Sequence, residues 1–336
     1  TEIYTLSLHD ALPISLNFFI LSTFYFFIRG FQEKSNKDTS YFLMYICMGI
    51  GFMIKGPPGI IIPTFVIACY ILALKNWEEL PQLRLAYGVA IIAVIILPWF
   101  VTMLALHGDE FKNHILGAEL RDRIVHDTPF SLYYLGVIIR YYLPWSFFFI
   151  AALAKQFELT SRSPQPIPLK ENIFLSLSKK MQVWRSNIAK KNNQAFLFCT
   201  LWILCPLLLF TLFRVEHSRY MLPVSAPIAI IMAIFFSQLI DSSSDFKGKF
   251  FKIPFYLSLT FYLLIAMLTV MGMFFLHPSF SAPTGLIVLS VFSVFGTVFL
   301  FILYKSKKYS LLIIALPIIQ IITLTSLSGE SLSYFN

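Results

Sequence analysis

Residues Leu85–Leu106 read LAYGVAIIAVIILPWFVTMLAL, 22 residues without one charged side chain. A spanning helix needs about 20 predominantly apolar residues to cross a bilayer core, so this run reads as a membrane crossing. It ends abruptly in HGDEFKNHILGAELRDRIVHDTPFS, His107–Ser131, which holds five acids, three bases and three histidines in 25 residues. Two Leu-Pro-Trp tripeptides, Leu97-Pro98-Trp99 and Leu143-Pro144-Trp145, bracket this polar island. Acids, cations and imidazoles gathered between apolar helices suit chemistry on a polar, charged substrate.

The rest of the chain repeats the apolar pattern. Of 336 residues, 57% are hydrophobic and 13% charged, where a soluble domain averages about 25% charged. The mean hydropathy is +0.74. Further runs at Ala195–Phe213, Tyr220–Ile240, Ile253–Leu276, Thr284–Tyr304 and Ser310–Leu327 are long enough to span. Leu132–Ala154 is similar, interrupted by Arg140, and Leu16–Ile28, Tyr41–Ile54 and Gly59–Leu74 are shorter. The expected fold is therefore all-α and polytopic, with about ten transmembrane helices.

Lys and Arg orient it. With strict alternation, one side receives Arg29–Ser40, Lys75–Arg84, Lys155–Gln194, Asp241–Lys252 and Lys305–Tyr309, which carry 19 Lys and Arg. The other side carries 6, and Arg140 lies inside a run. The richer side is expected to be cytoplasmic. The net charge of +9 then reflects orientation and anionic headgroups, and nucleic acid is not an expected partner. The island falls on the extracytoplasmic side, as does every histidine except His9. Cys47, Cys69, Cys199 and Cys205 all sit in apolar runs and read as small buried hydrophobes.

Two segments stand apart. Thr1–Ile14, TEIYTLSLHDALPI, resembles a translated sequencing-library adapter, so residues 1–14 are expected to be an artefact and the natural chain to begin near Ser15, truncated at its N-terminus. Residues 15–336 then form a partial transmembrane domain, with 107–131 an extracytoplasmic loop containing a short helix. Residues 155–194 form a basic cytoplasmic loop, Pro-rich at its start and read as a solvated linker or a helix on anionic lipid.

Several constellations can carry chemistry. Lys55-Gly56-Pro57-Pro58-Gly59 breaks the chain at the extracytoplasmic boundary. Lys55 there is either a snorkelling anchor or a fixed cation for a lipid phosphate. Asp109 and Glu110 favour a helix N-terminus and also supply carboxylates. Glu119 and Arg123 are four apart, an i,i+4 ion pair if helical. With Arg121 and His126 they are alternatively a pocket for an anionic group. Arg140 is costly in a bilayer unless it faces protein or water, and points to a cavity. Arg214–Pro227, RVEHSRYMLPVSAP, gathers Glu216, His217, Arg219 and Tyr220 at an extracytoplasmic helix end. His107, His114 and His126 lack two-histidine metal spacing, so no metal ligands are assigned.

Taken in order, Lys-Gly-Pro, Leu-Pro-Trp-Phe before His-Gly-Asp-Glu-Phe, Glu119…Arg123…His126-Asp127-Thr128-Pro129, Leu-Pro-Trp-Ser and His217-Ser218-Arg219-Tyr220-Met221-Leu222-Pro223 are similar to one family. They resemble the bacterial GT-C membrane glycosyltransferases of the protein O-mannosyltransferase and aminoarabinose transferase type, over about Leu16 to Gln238. The resemblance implies inverting transfer of a sugar from a polyprenyl-phosphate donor to a lipid A-like or protein acceptor. It implies a multi-pass protein of the bacterial inner membrane, surrounded by membrane lipids, working at the extracytoplasmic face. Such a reaction needs a carboxylate to accept the acceptor's proton and cations for the departing lipid phosphate. On that basis Lys55, Arg123 and Arg219 contact the donor phosphate, and Asp109, Glu110, His114, Glu119, His126, His217 and Tyr220 shape the substrate pocket.

The family's principal catalytic acid normally lies in the first extracytoplasmic loop. Its place is expected upstream of Ser15, so no catalytic residue is assigned and the fragment is expected to be inactive. The family also raises a divalent metal as a cofactor, which the spacing here does not support. The aminoarabinose branch has a Glu-His pair where this chain has Glu119-Leu120, which departs from the narrower assignment. The alternative is a transporter or flippase of a lipid-linked sugar, whose cavity would want the same cations without a proton acceptor. A membrane scaffold leaves the one-sided histidines and acids unexplained.

Overall fold

A computed structural model describes residues 2–33, 36–112, 133–161, 191–212, 218–276 and 284–331. Among the described residues the chain is helical throughout, without a strand. The elements are α1 (Glu2–Gln32), α2 (Lys37–Lys55), α3 (Pro58–Leu74), α4 (Glu79–Gln82), α5 (Leu85–Lys112), α6 (Tyr133–Tyr141) and α7 (Trp145–Ser161). They continue as α8 (Lys191–Leu212), a 3-10 helix at Ser218–Val224, α9 (Ser225–Asp241), a second 3-10 helix at Ser243–Lys247, α10 (Lys249–Leu276), α11 (Thr284–Lys305) and α12 (Tyr309–Ser331). Each apolar run of the sequence is helical in its described residues, except that Leu132–Ala154 is interrupted by a turn at 142–144. Among the described residues five helices are long and apolar enough to cross a membrane, and α6 with α7 makes a sixth if the broken pair is one span. Shorter apolar helices lie at Pro58–Leu74, Leu289–Lys305 and Tyr309–Ile322. This is a multi-pass, all-α membrane protein, because only a helix satisfies every backbone group within its own segment in lipid.

Two compact units emerge. The first comprises residues 1–141 and 160–230. Its centre is aromatic: Phe24 lies 4.3 Å from Trp202, Tyr70 5.1 Å from Phe198 edge-on, and Phe27 6.0 Å from Phe198. Phe24, Phe27 and Tyr70 are essentially inaccessible. These rings tie α1, α3 and α8 together. Edge-to-face pairs at such spacings add about 1 kcal/mol each beyond their buried area.

α2 and α3 approach more closely than side chains would allow. A Cβ on Gly59 would stand 2.4 Å from the carbonyl carbon of Gly51. Two glycines facing each other let the backbones meet, as small residues do where membrane helices cross. Gly88 plays the same part for α5, admitting the ring of Tyr45, whose hydroxyl donates to the Leu83 carbonyl at 2.9 Å.

The ends of α2 differ sharply. At its N-terminal end Lys37 lies 2.7 Å from Glu79, which is 4% exposed and also accepts from the Tyr41 hydroxyl. Arg84 meets Asp38 at 2.8 Å. The basic loops of this unit therefore converge on one end, as the charge counting expects of a single membrane face.

The second unit comprises residues 142–159 and 231–336. Phe246 stacks on Tyr309 at 4.1 Å, and Phe251, fully buried, contacts Phe148, Phe246 and Phe255. Its basic loops also converge, with Lys155 2.9 Å from Asp245 and Lys249 3.4 Å from Glu158.

The run read from Leu132 to Ala154 is not one helix. It divides at residues 142–144, where Pro144 cannot continue the ladder. Gln320 of α12 donates its amide to the Leu143 carbonyl at 3.0 Å. A neighbouring helix thus satisfies a carbonyl near the break, the condition for irregular backbone within a membrane.

Candidate functional site

The end of α2 opposite the basic loops carries Lys55. Helix α2 stops there because Gly56 adopts φ +76°, a left-handed conformation that costs a glycine nothing. Its N–H still bonds the Phe52 carbonyl at 2.6 Å, and Pro58 opens α3 at a position that needs no N–H. The hairpin is locked by the Gly51–Gly59 approach, so the direction of Lys55 is set by backbone packing.

The Lys55 ammonium lies 4.7 Å from the ring centroid of Tyr220 in the first 3-10 helix. That ring is itself stacked on Phe210 of α8, at 5.0 Å with 24° between the planes. A cation over an aromatic face gains about 0.5–1 kcal/mol when exposed and about 2 when desolvated. Here both partners are half-buried. Leu16, Pro58, Ile62 and Phe210 join Lys55 and Tyr220 around a small cavity. The structure therefore brings together two residues that lie 165 positions apart in the sequence and were singled out in separate motifs.

The described beginning of the island lies at the far end of α5. Leu85–Leu106 would measure about 33 Å as a helix, matching the bilayer core, and α5 runs on to Lys112. Asp109 and Glu110 were read as a helix start. Accordingly α5 breaks at Gly108, with φ +49° and ψ −121°, and both acids sit exposed in the first turn of the helical segment that starts beyond this kink.

Rings hold that turn in place. Phe111 meets Trp99 edge-on at 5.7 Å and Phe100 at 6.0 Å, and Phe100 lies 6.2 Å from Phe52. Phe52 is one turn before Lys55. An aromatic bridge thus links the carboxylate-bearing turn to the helix end that carries the cation. Phe52 and Phe210 are not marked by the sequence, and Phe100 and Phe111 appear there only as members of the Leu-Pro-Trp-Phe and His-Gly-Asp-Glu-Phe motifs. The signal that marks Phe111 is its place directly after the acid pair, at aromatic reach of the first Leu-Pro-Trp.

Arg140 lies in the last turn of α6. It is exposed, with its guanidinium carbon 5.1 Å from the Tyr141 ring. His107 is exposed at the bend. His114, Glu119, Arg121, Arg123, His126 and His217 lie outside the described residues, as does most of the basic loop beyond Ser161. Arg219 belongs to the first 3-10 helix by its backbone, with its side chain outside what is described. Among the described residues no three His, Cys, Asp or Glu side chains converge as metal ligands. The four cysteines are free thiols, three buried and Cys69 half-buried.

A cation seated on an aromatic face and a carboxylate pair one aromatic bridge away thus sit in a polytopic helical frame. Known proteins share that frame. Residues 2–111 match the family described as dolichyl-phosphate-mannose-protein mannosyltransferase. The undecaprenyl phosphate-alpha-4-amino-4-deoxy-L-arabinose arabinosyl transferase of Edwardsiella ictaluri is 27% identical over 223 residues, covering 63% of this chain and 34% of that protein. Its counterpart 2 from Pseudomonas fluorescens is 26% identical over 211 residues, covering 60% and 31%.

The crystal structure of ArnT from Cupriavidus metallidurans bound to undecaprenyl phosphate superposes with a TM-score of 0.61 at 19% identity, over 96% of this chain and 54% of that one. The apo structure of the same protein gives 0.61 at 18% identity. The resemblance read from the motifs is borne out: the chain has the GT-C fold and is similar to glycosyltransferases of the aminoarabinose transferase and protein mannosyltransferase type. It spans about a third of the length of the curated relatives it matches.

Proposed function

We propose that this chain carries the donor-phosphate side of a membrane glycosyltransferase that moves a sugar from a polyprenyl phosphate to a lipid or protein hydroxyl. The observation that carries this reading is Lys55, fixed by the Gly56 break and held over Tyr220 at the end of α2 opposite the basic loops of its own unit. In the transfer, the anomeric C–O bond to the lipid phosphate breaks while the acceptor oxygen bonds the same carbon. The phosphate leaves with the electron pair, and a cation beside it lowers the barrier. The acceptor's proton goes to a carboxylate.

Lys55, with Arg123 and Arg219, is assigned to the phosphate. Asp109, Glu110, His114, Glu119, His126, His217 and Tyr220 are assigned to the sugar and acceptor pocket. Sequence likeness to aminoarabinose transferases that name undecaprenyl phosphate supports a polyprenyl donor, and a lipid A-like acceptor is the corresponding choice. The charge asymmetry supports a bacterial inner-membrane protein with this end on the extracytoplasmic face, residues 107–131 lying outside and 155–194 inside.

The test is sugar transfer in membranes from cells expressing this chain with its upstream sequence restored, with a labelled polyprenyl-phosphate sugar as donor. Lys55→Ala and Arg123→Ala are each expected to abolish transfer. Wild-type turnover in both variants would overturn the phosphate assignment. Labelled lipid that crosses the membrane without forming a product would instead identify a flippase.

A further inference from the structure

The N-terminal end of α2 holds a second site, about 25 Å along the helix from Lys55 by the rise per residue. There α2 and α5 diverge around an open cavity of about 370 Å³. Its rim is polar and of both signs: Asp38 and Arg84, 2.8 Å apart, with Thr39 beside them. Its wall is apolar, formed by Phe42, Tyr87 and Ile91. Ile91 of α5 lies six residues beyond the helix start next to Arg84, roughly 10 Å deeper along the helix. A polar rim above an apolar wall, at the end of two membrane helices, has the profile of a lipid headgroup above its acyl chain.

The floor is firmly built. Tyr45 packs on Gly88 and bonds Leu83, while Lys37 turns inward onto Glu79 and Gln82. That inner network sets the position of α4 and hence of the rim.

We propose that this groove binds a phospholipid with an ethanolamine headgroup, its phosphate on Arg84, its ammonium on Asp38 and one acyl chain along Phe42, Tyr87 and Ile91. Charge complementarity selects that headgroup. The Asp38 and Arg84 side chains are 65% and 57% exposed, and so open an ion pair is worth at most about 1 kcal/mol. A zwitterion gives each residue a new partner of the right sign when the pair opens. An anionic glycerol headgroup would satisfy Arg84 and leave Asp38 facing a second negative charge. A choline headgroup offers Asp38 no N–H to accept from.

This site is independent of the donor reading, because it shares no residue with the Lys55 end. The experiment is native mass spectrometry of the delipidated 336-residue chain, offered equimolar phosphatidylethanolamine, phosphatidylcholine and phosphatidylglycerol with identical acyl chains. The chain is expected to retain the ethanolamine lipid in clear preference. Asp38→Asn is expected to erase its advantage over the choline lipid. Arg84→Gln is expected to cut its retention about tenfold, the weight of one charge-assisted contact. Ile91→Trp fills the wall and leaves the ion pair, so it carries the same expected loss should Arg84→Gln fail to fold. Retention of the glycerol lipid at an equal or higher level would overturn the proposal. So would a preference that survives Asp38→Asn and Ile91→Trp, or no retained lipid at all.

Discussion

The Lys55 ammonium stands 4.7 Å above the Tyr220 ring, and that ring is backed by Phe210. The contact joins the α2–α3 break to the 3-10 helix that follows α8. It gives Tyr220 a role distinct from hydrogen bonding, because a cation–π contact needs the ring and not the hydroxyl. Tyr220→Phe is therefore expected to keep polyprenyl-phosphate affinity within about twofold, while Tyr220→Leu weakens it about fivefold, the range of an exposed to half-buried cation–π contact. Titration of the purified variants with the lipid phosphate, followed by tryptophan fluorescence, measures both. Equal losses in the two variants would assign the role to the hydroxyl instead.

The hairpin that aims Lys55 rests on bare backbone. Gly59→Ala places a methyl group 2.4 Å from the Gly51 carbonyl carbon, where only movement of α3 makes room. Overpacking of this kind costs about 1–3 kcal/mol. The variant is expected to melt at lower temperature and to bind lipid phosphate more weakly. Gly136→Ala, where an added Cβ meets nothing within 4 Å, is the control and is expected to melt at or above wild type.

Glu79 and Asp38 carry the same charge in opposite settings. The Glu79 side chain is 5% exposed and receives both Lys37 and Tyr41, while that of Asp38 is 65% exposed. Glu79→Ala strands a mostly buried ammonium and is expected to cost about 3 kcal/mol. Asp38→Ala should cost less than about 1 kcal/mol. Thermal melting in detergent ranks them, and a reversed order would contradict the network.

The amide of Gln320 caps a carbonyl released by the Pro144 break. Gln320→Leu is expected to destabilise by about 1 kcal/mol, within the measured range for hydrogen bonds between membrane helices. Amide exchange near residue 143 is expected to rise in that variant. Unchanged exchange would mean that another group satisfies the carbonyl.

These features differ in how far the sequence displays them. The apolar runs are legible because bilayer thickness fixes a helix length that composition alone reveals. Lys55 and Tyr220 are visible as members of separate motifs, but their contact depends on how α2 and α8 pack. The division of Leu132–Ala154 is only half legible: Arg140, Tyr141, Tyr142 and Pro144 make a polar dip, but the same tripeptide at Leu97-Pro98-Trp99 lies inside α5, and Gln320 is 177 residues away. Glu79 is hidden for a different reason. A short polar loop reads as solvated, and nothing local shows that its carboxylate turns inward. The helix start at Asp109-Glu110 is legible because acids favour first turns, whereas the kink at Gly108 that joins it directly to the preceding span depends on a glycine at positive φ.

The most direct test of the account is equilibrium binding of undecaprenyl phosphate to the purified chain and to Lys55→Ala, with undecaprenol as the uncharged control. The account predicts saturable binding of the phosphate, little binding of the alcohol, and a loss of at least about tenfold in Lys55→Ala, since the contact is charge-assisted. Equal binding of phosphate and alcohol, or an unchanged affinity in Lys55→Ala, would contradict it.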